Sequence, residues 1–300
     1  MKPFYSAVAL AAAVGAHASE PAPSVVSDVA YLAAGRTEKL DLYLPAPPAD
    51  GRLPTVVWIH GGGWTSGDKA EARAKEICGT LAGAGYVAAS INYRLGNDAW
   101  PQNLLDCKEA VRFLRAHAAE YHVDPDRIAV AGGSAGGHLA LMVGFTAGQK
   151  EFEPAAGPGV SSAVRCIVDL YGPTDLLVHG QTDEKGEPTP MRKLMAKSLA
   201  AFGVTSDEAE LLRVASPVEH VAQDIPPVLI LHGRADTTVD FSQSEKLDRL
   251  LREKGVEHEF VPLDGVGHTF NWETWNNRPL PRDLRPVALA FLAKHLSPGR

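Results

Sequence analysis

Three hundred residues, 45 % of them hydrophobic, suffice for one large α/β domain that buries about three quarters of its unfolded surface. A formal charge of −7 argues against nucleic acid or an anionic membrane as partner, since both select basic surfaces. Cys78, Cys107 and Cys166 are odd in number, widely spaced and set in apolar-periodic segments; this excludes a disulfide framework and leaves buried free thiols, with one pair at most.

The chain opens with the features of a secretory signal. Lys2 gives a basic start, Phe4 to Val14 is mostly apolar, and Ala16-His17-Ala18 is an A-x-A cleavage site. The apolar run falls short of the ~20 residues needed to span a bilayer. The expectation is cleavage after Ala18 and a secreted or periplasmic protein with no integral membrane segment. Residues 19–37, rich in Ala, Pro, Ser and Val with little period, read as a leader into the domain. Lys39–Leu44 alternates as an antiparallel edge strand should, and Pro45–Pro54 turns out of it.

Thr55–Ile59 is an unbroken apolar run, as in a strand covered on both faces, and leads straight into His60-Gly61-Gly62-Gly63-Trp64. A helix is predicted over about 69–83, with Asp68 as its N-cap, followed by a strand from Tyr86 to Ile91. Two rival glycine motifs fail. Asp68 interrupts the G-K-[ST] of a P-loop, and Gly83-Ala84-Gly85 precedes a strand where a dinucleotide fingerprint would follow one. Residues 103–119 form a helix whose apolar stripe is Leu104, Cys107, Val111, Leu114 and Ala118, with Pro101 at its start and Lys108, Arg112 and Arg115 mostly off the stripe.

After the turn residues Asp124-Pro125-Asp126, the strand-like Ile128, Val130 and Ala131 run into Gly132-Gly133-Ser134-Ala135-Gly136, and helical spacing begins at His138. This is G-x-S-x-G between a strand and a helix. Glycines are needed there because a serine on so sharp a turn leaves no room for neighbouring Cβ atoms. Val164–Leu170 is a further buried strand, ending in Tyr171-Gly172-Pro173-Thr174-Asp175. Leu176–Val214 changes character: charged, proline-punctuated, with helices near 191–201 and 207–213. It reads as a cap-like insertion after the sixth strand, over the carboxyl ends where ligands bind in such sheets. Then come a strand at Pro227–Leu231, the segment His232-Gly233-Arg234-Ala235-Asp236, a helix over 241–254, a strand at His258–Leu263, the loop Asp264-Gly265-Val266-Gly267-His268, and a last helix over about 283–296. Strands alternating with helices imply a mainly parallel sheet in a single α/β domain from residue 19 to residue 300.

A serine attacks only when a base removes its proton and a carboxylate holds that base. His268 is the candidate base, because His258 lies within a strand and His295 on an outer helix. Asp236 is the candidate acid and Asp175 its competitor; Asp240 reads as a helix cap. The order Ser134, Asp236, His268 is that of α/β-hydrolases. His60, His138 and His232 read as loop and packing residues. No H-E-x-x-H or Cys/His cluster implies a metal, and no cofactor is expected.

On H-G-G-G-W and G-G-S-A-G-G the chain resembles α/β-hydrolases of the esterase/lipase type, including hormone-sensitive-lipase-like esterases. Through Trp64, Tyr171-Gly172-Pro173 and His232–Asp236 it is also similar to bacterial acetylxylan and feruloyl esterases. The likeness covers roughly residues 38–296. It implies an α/β-hydrolase fold, oxyanion donors in the N–H groups of Gly62, Gly63 and Ala135, a buttressing role for His60, and an acyl-enzyme mechanism on a small-molecule or carbohydrate ester. An amidase of the formylkynurenine-formamidase type, or a non-catalytic hydrolase-fold binding protein, are the alternatives. Trp64, Trp100, Trp272 and Trp275 are candidates either for an aromatic cleft or for core packing.

Overall fold

A computed structural model describes residues 23–45, 51–155, 159–178, 181–204 and 209–298. The segment predicted to be a signal lies outside the described residues. The strands are β1 (Ser24–Val29), β2 (Leu40–Leu44), β3 (Leu53–Ile59), β4 (Val87–Ile91), β5 (Val123–Gly133), β6 (Ile167–Leu170), β7 (Val228–Gly233) and β8 (His258–Leu263). A two-residue hairpin follows, β9 (Thr274–Trp275) with β10 (Arg278–Pro279). The α-helices are α1 (Ala72–Gly83), α2 (Gln102–Ala116), α3 (Ala135–Phe145), α4 (Pro190–Ser198), α5 (Ala209–Val214), α6 (Ser242–Lys254) and α7 (Arg285–His295).

The main sheet runs β1-β2-β4-β3-β5-β6-β7-β8. β2 is antiparallel to both its neighbours, and β4, β3, β5, β6, β7 and β8 are parallel throughout. Alternate residues of each strand feed opposite faces. Val57 and Ile59 join a core with Leu104 and Val111 of α2, Leu139 of α3 and Leu247 of α6. Val56 and Trp58 join a second core with Ile77 and Leu81 of α1 and Phe291 of α7. Both faces are therefore covered, which is why the parallel strands read as unbroken apolar runs.

This layering decides where the site forms. β3 and β5 are neighbours, yet the helix after β3 packs on one face and the helix after β5 on the other. Sheets of this kind bind ligands at the carboxyl ends of strands whose following helices leave for opposite faces, here the ends of β3 and β5. Among the described residues no helix is long and apolar enough to cross a membrane.

Several local expectations need correction. The leader holds β1, so Lys39–Leu44 is not an edge strand; β1 caps it, pairing Ser24 with Leu44 through Val29 with Leu40 around a bulge. Asp124-Pro125-Asp126 lies inside β5, where the register against β3 slips between Leu53 and Thr55. Asp68 does not cap α1. The helix starts at Ala72, while Asp68 binds the Ala70 N–H at 2.7 Å and the Asn92 side chain at 2.9 Å. Lys108 and Arg112 are buried. Lys108 Nζ donates to Thr146 O at 2.8 Å and to Glu153 Oε1 at 3.0 Å, and Arg112 donates to Pro154 O at 3.1 Å. These cations anchor the segment after α3, and each is tolerated inside because it is paired. Asp240 does not cap α6; it accepts the Met191 N–H at 2.7 Å, satisfying a free donor in the first turn of α4. His295 is partly buried against Phe291 rather than solvated. The three cysteines are free and buried.

Candidate active site

The turn from β5 into α3 sets Ser134 at φ 57°, ψ −124°, a conformation that costs a non-glycine residue of order 1–3 kcal/mol. It is held from both sides. Ser134 N donates to Leu170 O at 2.9 Å, and His138 N closes the first helical turn on Ser134 O at 3.0 Å. Gly136 lets α3 reach the end of β3: a Cβ there would lie 2.1 Å from Ile59 O. The constraint leaves the hydroxyl facing the loop after β8.

That loop carries His268, whose Nε2 lies 2.9 Å from Ser134 Oγ and whose Nδ1 lies 2.6 Å from Asp236 Oδ2. An imidazole between a hydroxyl and a carboxylate carries its proton on the carboxylate side, which leaves Nε2 free to accept the serine proton. Asp236, in the loop after β7, is buried, and its Oδ1 accepts the N–H groups of Thr238 at 2.8 Å and Val239 at 3.0 Å. Burial opposes its ionisation, but the hydrogen bonds from His232, His268 and the backbone outweigh it, and the carboxyl is held well below the usual range. The acid is therefore a carboxylate wherever the protein is folded near neutral pH.

The structure thus brings Ser134, Asp236 and His268 together and sets the competitors aside. Asp175 forms an ion pair with Lys246 at 2.6 Å and receives the Leu177 N–H. His258 is paired with Asp248.

The loop after β3 comes up against the serine. A Cβ on Gly61 would sit 2.8 Å from Gly133 O and 3.2 Å from Ser134 Cβ. Gly62 adopts φ 114°, a region open to glycine, with its carbonyl accepting from Thr65 and Ser66. The N–H groups of Gly62 and Gly63 donate to no backbone carbonyl among the described residues. Ala135 is the first residue of α3, where the N–H has no helical acceptor. His60 underpins the loop: it is stacked on Tyr93 with ring centroids 4.5 Å apart, Nδ1 is 2.7 Å from Gly61 O, and the Tyr93 hydroxyl donates to His60 O at 2.8 Å.

Trp64 is a core residue. Its ring meets Phe202 of the insertion edge-on at 5.0 Å, and its Nε1 donates to His138 Nδ1 at 3.2 Å. Trp272 is buried in the core below α7, Trp100 stacks obliquely on His138 and Phe202, and Trp275 Nε1 donates to His268 O at 2.9 Å. None of the four forms an open aromatic cleft with the others; Trp275 instead ties down the loop that carries the imidazole. Tyr171, at φ 45°, does the same from beneath, with its ring edge-on to His268 at 4.7 Å and its hydroxyl donating to Phe270 O.

The insertion packs beside the glycine loop. Ala200 O and Ala201 O accept the N–H groups of Asp98 and Trp100, and Ser198 stands beside Gly63. Within it a cavity of about 210 Å3 is lined by Leu176, Val178, Met195, Leu199, Leu212 and Arg192. A larger concavity of about 670 Å3, between Arg115, Asp126 and Arg165, contains none of the residues that meet Ser134.

The match of the BD-FAE family model over residues 40–251 spans the donor loop, the serine turn and the candidate acid. The chain belongs to the BD-FAE family. This BD-FAE chain is 32 % identical over 247 residues to the probable carboxylic ester hydrolase LipM of Mycobacterium tuberculosis, covering 81 % of this chain and 56 % of that protein. It spans little more than half the length of the curated relatives it matches. Among solved structures, a truncated carbohydrate esterase from gut microbiota superposes with TM-score 0.79 at 25 % identity, over 94 % of this chain and 99 % of that one. Thermogutta terrifontis esterase 2 phosphorylated by paraoxon superposes with TM-score 0.71 at 28 % identity, over 93 % and 97 %. The fold is that of an α/β-hydrolase.

Two buried residues near this BD-FAE site have surroundings that the sequence did not reveal. His232, read as a packing residue, has Nε2 3.3 Å from Asp236 Oδ2. Asp169, in β6, is fully buried; Oδ1 accepts the Gly172 N–H at 3.0 Å, and Oδ2 has no hydrogen-bond partner among the described residues. Burial raises its carboxyl to about 7, against the opposing pull of His232 and the Gly172 N–H. A raised carboxyl stabilises the fold most below the unfolded value of about 4, and that contribution disappears as pH rises through about 7. Asp169→Asn, which mimics the neutral acid, is expected to flatten the loss of stability between pH 5 and pH 8. Urea unfolding at four pH values checks this, and parallel curves for the two proteins would refute it.

Proposed function

We propose that this chain is a serine carboxylic-ester hydrolase acting through an acyl-enzyme on short-chain or carbohydrate-linked acyl esters. The observation that carries the reading is His268, with Nε2 2.9 Å from Ser134 Oγ and Nδ1 2.6 Å from Asp236 Oδ2. In this reading His268 takes the serine proton as Oγ adds to the ester carbonyl. The oxyanion is met by the N–H groups of Gly62, Gly63 and Ala135, each such donor being worth about 3–4 kcal/mol in the transition state. His268 then protonates the leaving alcohol, and water, deprotonated by the same imidazole, releases the acid.

Family membership and the esterase titles of the relatives support the chemistry. The carbohydrate esterase among the structural neighbours supports a short acyl group on a sugar. The test is a panel of p-nitrophenyl acetate, butyrate and octanoate, acetylated xylan, methyl ferulate and N-formylkynurenine. Release of acetate from xylan together with a preference for acetate over octanoate is expected. Turnover of the formamide alone would replace the ester reading, and failure of a fluorophosphonate to label the wild-type protein would leave a binding protein. We further propose export, with Ala18 as the last residue removed; fractionation that recovers the full-length chain from the cytosol would refute it.

A further inference from the structure

Asp236 Oδ2 is met by two imidazoles. His268 Nδ1 lies 2.6 Å away and His232 Nε2 3.3 Å away. His232 is the penultimate residue of β7, four residues before Asp236, and is fully buried. Its surroundings fix its tautomer. Nε2 is hydrogen-bonded to Val239 O at 3.2 Å and lies 3.3 Å from Asp236 Oδ2 alongside; facing two acceptors, it carries the proton. Nδ1 lies 2.7 Å from Ser244 Oγ of α6, whose hydroxyl donates to it. The other groups around the ring are the buried Asp169 of β6 and the Phe241 ring before α6, which meets His232 edge-on at 5.5 Å and carries the Arg234 guanidinium at 4.6 Å. None of these donates a hydrogen bond to Oδ2.

We propose that His232 is a positioning residue for the acid: held by Ser244, with its Nε2–H shared between Val239 O and Asp236 Oδ2, it keeps the carboxylate in line with His268 and takes up part of its negative charge. This rests on the ester-hydrolase reading and deepens it. The Thr238 and Val239 N–H groups already hold Oδ1, so what the second imidazole changes is the charge on Oδ2. A carboxylate oxygen with a single partner is more basic toward it; a second N–H lowers that basicity, so His268 keeps its proton on Nδ1 and the carboxylate holds an imidazolium less tightly.

The test separates the donor from the bulk. Glutamine places its amide nitrogen near the position of Nε2 and can still donate to Asp236; asparagine reaches only the Nδ1 position and cannot. With p-nitrophenyl acetate, His232→Asn is expected to lose about 10- to 100-fold in kcat, the size of one hydrogen bond to a charged group. KM should stay within about twofold, and the acid limb of the kcat/KM profile should move to higher pH. His232→Gln is expected to restore the limb and most of kcat. Equal losses in the two variants with both limbs at the wild-type position would overturn the proposal, as would a fully active His232→Asn. Should His232→Asn fail to unfold cooperatively, Ser244→Ala decides: it frees the tautomer without touching the triad, so a limb displaced upward supports the proposal and an unmoved one overturns it. Wild-type protein that turns over no ester would overturn the hydrolase reading itself, which these variants leave standing.

Discussion

Replacing Ser134 by alanine is expected to lower kcat toward p-nitrophenyl acetate by about a million-fold while leaving the protein folded. The loss is large because the proposed machinery acts as a unit. Without Oγ there is no acyl-enzyme, and His268 and the donor loop retain only their ability to orient water and substrate. Stability should change little, because the Oγ bond to His268 is the only side-chain hydrogen bond Ser134 makes among the described residues. Alanine also inherits the same positive φ and the same backbone bonds to Leu170 and His138. Active-site titration with a fluorophosphonate, run beside thermal unfolding, checks both halves. Residual activity within a hundredfold of wild type would mean that another group attacks.

Gly136→Ala is expected to destabilise the protein by about 3 kcal/mol or more. The added Cβ would stand 2.1 Å from Ile59 O, 2.5 Å from His60 O and 2.7 Å from Ile59 C. All three are backbone atoms at the end of a central strand, so none can swing aside. Activity should fall with stability, because the strand that must move leads into His60 and the glycine loop. Gly79→Ala is the control: it lies in α1 with nothing within 4 Å of the added methyl, and should stabilise by about 0.5–1 kcal/mol. Urea unfolding of the two variants should therefore move the midpoint in opposite directions. A neutral Gly136→Ala would show that α3 and β3 can separate without cost.

The parallel strands were legible because burial on both faces writes itself as continuous apolar runs, and the turn at Ser134 because its steric demand allows little besides glycine around it. Asp236 and His268 followed from chain order and loop position, yet Asp175 could be set aside only once Lys246, on α6, was seen to take it. What escaped depends on partners far along the chain. β1 shows no alternation, since Val25 and Val26 are both exposed on an outer strand with a bulge, and only its pairing with β2 makes it a strand. Lys108 looks like a solvent-facing charge on a helix until Thr146 and Glu153 close over it. His232 shares a four-residue spacing with Asp236, a signal that was present but has meaning only when the turn folds the two side chains onto each other.

The edge-on contact between Trp64 and Phe202 has a consequence for specificity. One ring belongs to the loop that presents the proposed oxyanion donors and the other to the insertion, with Ser198 packed beside Gly63. That contact joins the two. Under the proposed function, a bulky alcohol or long acyl chain that displaces the insertion would displace the amides with it, so a poor fit is expected to register as slow turnover rather than as weak binding alone. Selectivity engineered by trimming the insertion will carry a penalty in rate unless the aromatic seam is left intact.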